Sequence, residues 1–191
     1  PGSRKGEVTR LAPVIGEGLA QIKAVHPTAR VALPTVRGVA QLVRDLSADW
    51  PIQPQIIQDP SLKRAAFALA DVAIAASGTV SLELAANACP MVIAYDMHPA
   101  TLWLMRRAAL IDTVTLVNLV SDTRLVPEFI GKACRADRIA PALLYLLANP
   151  QAQDAAMQLT MERLGKGGEP PGLRAAKSVL AALPPLQLHK I

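Results

Sequence analysis

Aromatic residues make up only 3% of the 191 residues, two each of Trp, Tyr and Phe. With so few rings to stack on bases, and no long Lys/Arg stripe in their place, a nucleic-acid partner is not expected. Cysteine is almost as scarce. Cys89 and Cys134 sit in apolar surroundings without metal-ligand spacing, which reads as two core thiols of a reduced, cytosolic protein. His26, His98 and His189 show no ligand spacing either, so no metal is expected. No Gly-x-Gly-x-x-Gly follows a strand, no Walker lysine loop is present and no Gly-x-Ser-x-Gly elbow occurs. These absences count against dinucleotide cofactors, P-loop chemistry and an α/β-hydrolase triad, and no cofactor is expected. The longest apolar runs, such as 65–70 and 73–76, fall far short of the roughly 20 residues of a membrane-spanning helix. There is no initiator Met and no signal peptide, so the chain reads as a fragment opening on a loop.

What is present is a core of small and aliphatic residues. Hydrophobic residues reach 51% and charged ones 18%, with Ala, Leu and Val supplying the bulk. That composition, at this length, suits one well-cored α/β domain. The net charge of +5 points to anionic partners, whether phosphates, anionic lipid headgroups or nucleic acid, without choosing among them.

Periodicity supplies the order of elements. Val8, Leu11, Ile15, Leu19 and Ile22 recur at helical spacing over 7–25, ending at Pro27. Short strands follow over 30–33, 54–58, 72–76, 90–95 and 114–117, alternating with helices over 37–46, 62–69, the stretch after Thr79, and 100–110. A turn at 127–131 leads to helices over 136–148 and 150–164. Such alternation implies parallel strands with right-handed crossovers, hence a Rossmann-like doubly wound parallel sheet with carboxyl-terminal helices. The Gly/Pro-rich 165–171 separates residues 1–164, the main domain, from 165–191, a break followed by a short helix and tail.

Two stretches carry candidate chemistry. The apolar run 72–76 breaks at Ser77-Gly78-Thr79 and resumes at helical spacing, with Ser77, Thr79 or Ser81 available as a cap. This is either a plain strand-to-helix turn or an anion site at a helix start, with Glu83 one turn in as a solvated acid or an acceptor for ribose hydroxyls. Gly2-Ser3-Arg4 opens the first helix in a similar way, with Ser3 at or near its cap, Glu7 in its first turn and Arg4 able to grip phosphate. Together with Tyr95 to His98 and Asn118 these residues fall at the carboxyl ends of strands, where ligands of doubly wound sheets lie. The helix carrying Trp103, Leu104, Arg106 and Arg107 suits either an anionic membrane surface or packing against another part of the protein.

The series Pro1-Gly2-Ser3-Arg4-x-x-Glu7-Val8, Ala76-Ser77-Gly78-Thr79-x-x-Leu82-Glu83, Cys89-Pro90-Met91-Val92, Val117-Asn118-Leu119 and Leu125-Val126-Pro127-Glu128 resembles the lipid-A-disaccharide synthase family. The resemblance implies the carboxyl-terminal, UDP-sugar-binding half of a GT-B glycosyltransferase. Gly2, Ser3 and Arg4 would contact the diphosphate, Ser77, Gly78 and Thr79 would supply helix-end N–H groups, Glu83 would hold the ribose and Asn118 would line the donor pocket. The implied reaction is inverting and metal-independent transfer of 2,3-diacylglucosamine from UDP to the 6′-hydroxyl of diacylglucosamine 1-phosphate (lipid X). The implied setting is the cytoplasmic face of the inner membrane of Gram-negative bacteria, with an anionic membrane surface, a missing amino-terminal domain and a homodimer partner also in view. The catalytic residues are expected in that missing half, which makes the fragment inactive alone. The strand expected before Pro1 would lie centrally in the sheet, so its loss would unpair two neighbours. This chain also carries Val117 where the family usually has Pro. Another UDP-N-acetylglucosamine-type transferase or an epimerase, and a non-catalytic membrane-docking α/β module, are the competing expectations.

Overall fold

The helical spacing of apolar residues near the start produces α1 (Lys5–Val25), which buries Val8, Leu11, Ala12, Ile15, Leu19 and Ile22. A computed structural model describes residues 1–97, 107 and 111–183. After α1 come β1 (Val31–Pro34), a single 3-10 turn at Arg37–Val39, α2 (Ala40–Ser47), β2 (Pro54–Ile57), α3 (Pro60–Leu69) and β3 (Ala73–Ala75). Then follow α4 (Val80–Ala86), β4 (Met91–Tyr95), α5 (Leu116–Ser121), β5 (Glu128–Ile130), α6 (Ala136–Ala148), α7 (Asp154–Arg163) and α8 (Pro171–Ala182). Asp59 starts α3 as an N-cap, its carboxylate accepting the Ser61 N–H at 2.7 Å with Pro60 in the first turn.

Every strand pairing is parallel, as the alternation predicts, but the hydrogen bonds form two pieces. One joins β1 to β2, with Leu33 opposite Ile56; the other runs β3-β4-β5, with Ala75 opposite Ile93 and Tyr95 opposite Ile130. The strands alternate sides, so β4 feeds two cores. Val92 and Ala94 join Leu33 and the buried faces of α1, α2 and α6 in the first. Met91 and Ile93 join residues of α3, α4, α5 and α7 in the second. Because β1 and β4 meet the same helical layer, the two pieces act as parts of one α/β/α sandwich. Gln153, fully buried, clamps the first residue of β4: its Oε1 accepts the Met91 N–H at 2.9 Å and its Nε2 donates to the Met91 carbonyl at 2.8 Å.

One stretch departs from the sequence reading. The strand expected over 114–117 is instead a lead-in at 114–115 and the first two residues of α5, and the fifth strand is Glu128–Ile130, where a turn is expected. A short apolar run does not by itself separate a strand from a buried helix, and the side chains decide here. Glu128 accepts the Val114 and Thr115 N–H groups at 3.0 and 2.8 Å, and the Asn118 carboxamide bonds both backbone groups of Val126. The backbone of 114–115 is thereby satisfied without a strand partner. The expected helix over 100–110, with Trp103 and its neighbours, lies outside the described residues apart from Arg107, which is helical and exposed. His98 and His189 also lie outside them. Among the described residues no helix is long and apolar enough to cross a membrane.

Candidate functional site

The loop before α1 is held by its own helix. Arg4, not Ser3, is the N-cap, with extended backbone (φ −110°, ψ 145°), and Glu7 folds back to complete a capping arrangement. The Glu7 carboxylate accepts the Ser3 N–H at 3.1 Å, the Arg4 N–H at 3.3 Å and Arg4 Nη1 at 2.8 Å. Burial pushes the Glu7 carboxyl up, but the Arg4 side-chain bond, the two backbone N–H bonds and the Arg4 charge together outweigh it and hold the group below the usual carboxylate range. Tyr95, the last residue of β4, brings its hydroxyl to 3.5 Å from Glu7 Oε1. The start of α1 therefore sits at the carboxyl end of β4, as a doubly wound arrangement requires.

The second stretch turns where the sequence reading places it. Gly78 takes φ +131°, a region that disfavours any side chain, and Thr79 precedes the seven-residue α4 as its N-cap. None of the candidate hydroxyls caps this helix: Ser81 Oγ donates back to the Gly78 carbonyl at 2.8 Å, and Ser77 Oγ donates to the Val114 carbonyl at 2.9 Å. Ser77 thus fastens the turn to the 113–115 segment that Glu128 organises. Thr79 is exposed, so the tip of the turn faces solvent.

Glu83 lies on the exposed side of α4 and pairs with Lys63 of α3 at 2.7 Å, the two side chains 44% and 34% exposed. Lys63 also sits 5.3 Å above the Phe67 ring. Asn118 is 1% exposed, its carboxamide donating to the Val126 carbonyl at 2.9 Å and accepting the Val126 N–H at 3.0 Å. Its side chain therefore pins the connection between α5 and β5. Gly2, Ser3 and Arg4 form one set with Glu7 and Tyr95; Ser77 joins Val114; Glu83 joins Lys63.

Three partners carry structure that the sequence reading does not assign to the site. Lys63 stands 20 residues from Glu83, and Glu128 reaches back to residues 113–115, pairings that no local pattern encodes. Glu7 does have a local signal, the acid at the third helical position, but its link to Arg4 and Tyr95 appears only in three dimensions. Two concavities, one between α1 and α6 that includes Glu17 and Arg135, the other between α4 and α7 that includes Met157 and Lys166, contain none of the expected residues. Among the described residues no three His, Cys, Asp or Glu side chains gather as a metal site would need.

A family model for lipid-A-disaccharide synthetase matches residues 1–181. The chain is similar to a lipid-A-disaccharide synthase from Ruegeria pomeroyi, 56% identical over 192 residues, covering 96% of this chain and 48% of the relative. A lipid-A-disaccharide synthase from Rhodospirillum centenum is 42% identical over 183 residues, covering 94% and 46%. One from Rhodopseudomonas palustris is 40% identical over 183 residues, covering 94% and 47%. The chain spans about half the length of the curated relatives it matches.

Proposed function

Given that the chain belongs to the lipid-A-disaccharide synthetase family, we propose that it is the UDP-sugar-binding half of an enzyme that joins two acylated glucosamines into the lipid A disaccharide. The complete protein transfers 2,3-diacylglucosamine from its UDP donor to the 6′-hydroxyl of lipid X, with inversion and without a metal. It does so on the cytoplasmic face of the inner membrane. The amino-terminal half supplies the catalytic base and most of the acceptor site, so this half alone binds donor but does not turn it over. Residues 1–164 form the donor-binding domain and 165–191 an appended helix and tail, and the complete protein works as a homodimer at an anionic membrane surface.

The observation that carries this reading is the head of α1. A 21-residue helix directs unpaired N–H groups and the positive end of its dipole at the carboxyl end of β4, and an arginine with an 80% exposed side chain stands beside it. A diphosphate suits those donors. Gly2, Ser3 and Arg4 receive it, and the Ser77–Thr79 turn adds N–H groups from the start of α4. Glu83, charged and partly exposed, accepts the ribose hydroxyls while Lys63 holds its carboxylate in place. Asn118 shapes the pocket from beneath by pinning α5 to Val126.

The test is steady-state turnover by the complete protein carrying Arg4→Ala or Glu83→Ala. Each change is expected to lower kcat/KM for the UDP-sugar donor by about tenfold or more, the cost of losing one charge-assisted contact. Unchanged turnover in both variants would sink the site assignment. Acyl-bearing UDP-sugar turned over in preference to plain UDP-N-acetylglucosamine separates this reading from other GT-B transferases and epimerases.

A further inference from the structure

An acidic side chain at the mouth of an anion site is a liability unless its charge is already spent. Glu7 occupies such a position. It stands in the first turn of α1, yet its side chain is only 12% exposed, whereas Arg4 beside it is 80% exposed. We propose that Glu7 is a positioning residue for the donor diphosphate: its carboxylate fixes the Gly2–Ser3–Arg4 turn and one nitrogen of the Arg4 guanidinium, leaving the Nε–Nη2 edge presented to phosphate. The inference rests on the reading of that turn as the diphosphate site.

The geometry divides the labour between the two carboxylate oxygens. Oε2 gathers the Ser3 and Arg4 N–H groups at 3.1 and 3.3 Å, which sets the path of the turn. Oε1 takes Arg4 Nη1 at 2.8 Å, with the Tyr95 hydroxyl 3.5 Å away on its other side. A guanidinium has five N–H donors in a planar fork and binds phosphate through two parallel bonds from one edge. Engaging Nη1 alone leaves the opposite edge intact, and the exposure of the side chain puts that edge in solvent. Arginine loses substantial rotamer freedom when it is immobilised by a ligand, so an arginine held in advance binds more tightly than a free one.

Gly2 is part of the device. Its φ of +101° disfavours a side chain, and a Cβ built there would lie 2.5 Å from Glu7 Oε2 and 2.8 Å from Glu7 Cβ. A glycine at this position is what allows the carboxylate to fold back under the turn. The shielding matters electrostatically as well. With Oε1 bound by the Arg4 guanidinium and Oε2 by two backbone donors, Glu7 repels an incoming phosphate far less than a bare acid would.

The test uses the complete protein, with donor kinetics and calorimetric binding of UDP. Glu7→Ala should raise both the donor KM and the Kd for UDP by about tenfold while leaving kcat within about threefold, since the interaction serves ground-state and transition-state binding alike. Glu7→Gln keeps an acceptor oxygen for the backbone and loses the ion pair, so it should fall between Glu7→Ala and the parent. Gly2→Ala should mimic Glu7→Ala, and in an Arg4→Ala background Glu7→Ala should cost clearly less than in the parent, because only its hold on the turn then remains to be lost. A Glu7→Gln protein that binds UDP more tightly than the parent overturns the proposal, because the carboxylate would then be a competitor for the anion site. So does an equal penalty with and without Arg4, which would mark a purely structural role. If Glu7→Ala does not fold, the Glu7→Gln comparison in the two backgrounds still decides. Arg4→Ala with unaltered UDP binding removes the diphosphate-site reading and this inference together; a weakened Arg4→Ala beside an unaffected Glu7→Ala removes this inference alone.

Discussion

Cys89 is 1% exposed and Cys134 6%, and both thiols are free. Burial, with the nearby charge of Asp71 adding to it, pushes the Cys89 thiol up to about 12, and burial pushes Cys134 up to about 11. Only the thiolate attacks a disulfide reagent, so at pH 8 both groups are almost wholly in the unreactive form and out of reach. Aromatic disulfide reagents should therefore label neither cysteine of the folded protein on a scale of minutes and both at once in denaturant; rapid labelling of native protein would show that one of these side chains is open to solvent. At this scale the sequence is a good guide where chemistry is local. The apolar run after Cys89 marks that thiol as core, whereas Cys134, between Lys132 and Arg135, is buried by packing that its neighbours do not announce, and Gly78 between two hydroxyl residues marks a turn that does take positive φ. It is a poor guide where a partner comes from far along the chain. Nothing around Glu83 announces Lys63, and nothing around Ser77 announces that its hydroxyl belongs to Val114.

Among elements, α1 is legible because its apolar residues recur from Val8 to Ile22, about four turns at 3.6 residues each, and α5 is not because it is six residues long and bracketed by side chains that satisfy its backbone from elsewhere. The stripe on α1 also hides a distinction that only packing reveals. Gly16 and Gly18 are both buried in the helix, but a Cβ on Gly16 would lie 2.7 Å from the ring atoms Cδ1 and Nε1 of Trp50, while one on Gly18 would meet nothing within 4 Å. Replacing glycine by alanine inside a helix is worth about 1 kcal/mol in propensity. Overpacking a buried ring costs about 1–3 kcal/mol, so it wins at Gly16 and is absent at Gly18. Denaturant melts should accordingly place Gly18→Ala above the parent in stability and Gly16→Ala below it by about 1 kcal/mol, with the two changes moving in opposite directions as the decisive result.

For the molecule as a whole, the alternation of short apolar runs and amphipathic stretches was enough to foretell parallel strands between helical layers. The division of the hydrogen bonding into two pieces follows from a different fact, that β1 and β3 do not pair with each other and each keeps an open edge. Exchange of backbone amides should map this division. β4 is bonded on both sides and its first four residues are at most 1% exposed, so its amides should exchange most slowly, with the β1-β2 pair well ahead of them. Protection in β2 equal to that in β4 would mean that the two pieces open as one cooperative unit.

The packing of α1 against α6 has a bearing on how the protein is made. More than a hundred residues separate the two helices, yet each covers much of the other's apolar stripe in the first core. At about 5–20 residues per second of synthesis, α1 spends roughly 5–20 s outside the ribosome before α6 follows it. Throughout that interval the apolar face of α1 can pack on α2 and the strands of the first core but lacks the cover that α6 gives it. Nascent chains stalled ahead of residue 136 should consequently be the form on which chaperones act, and release of the chain past that point the moment at which they let go.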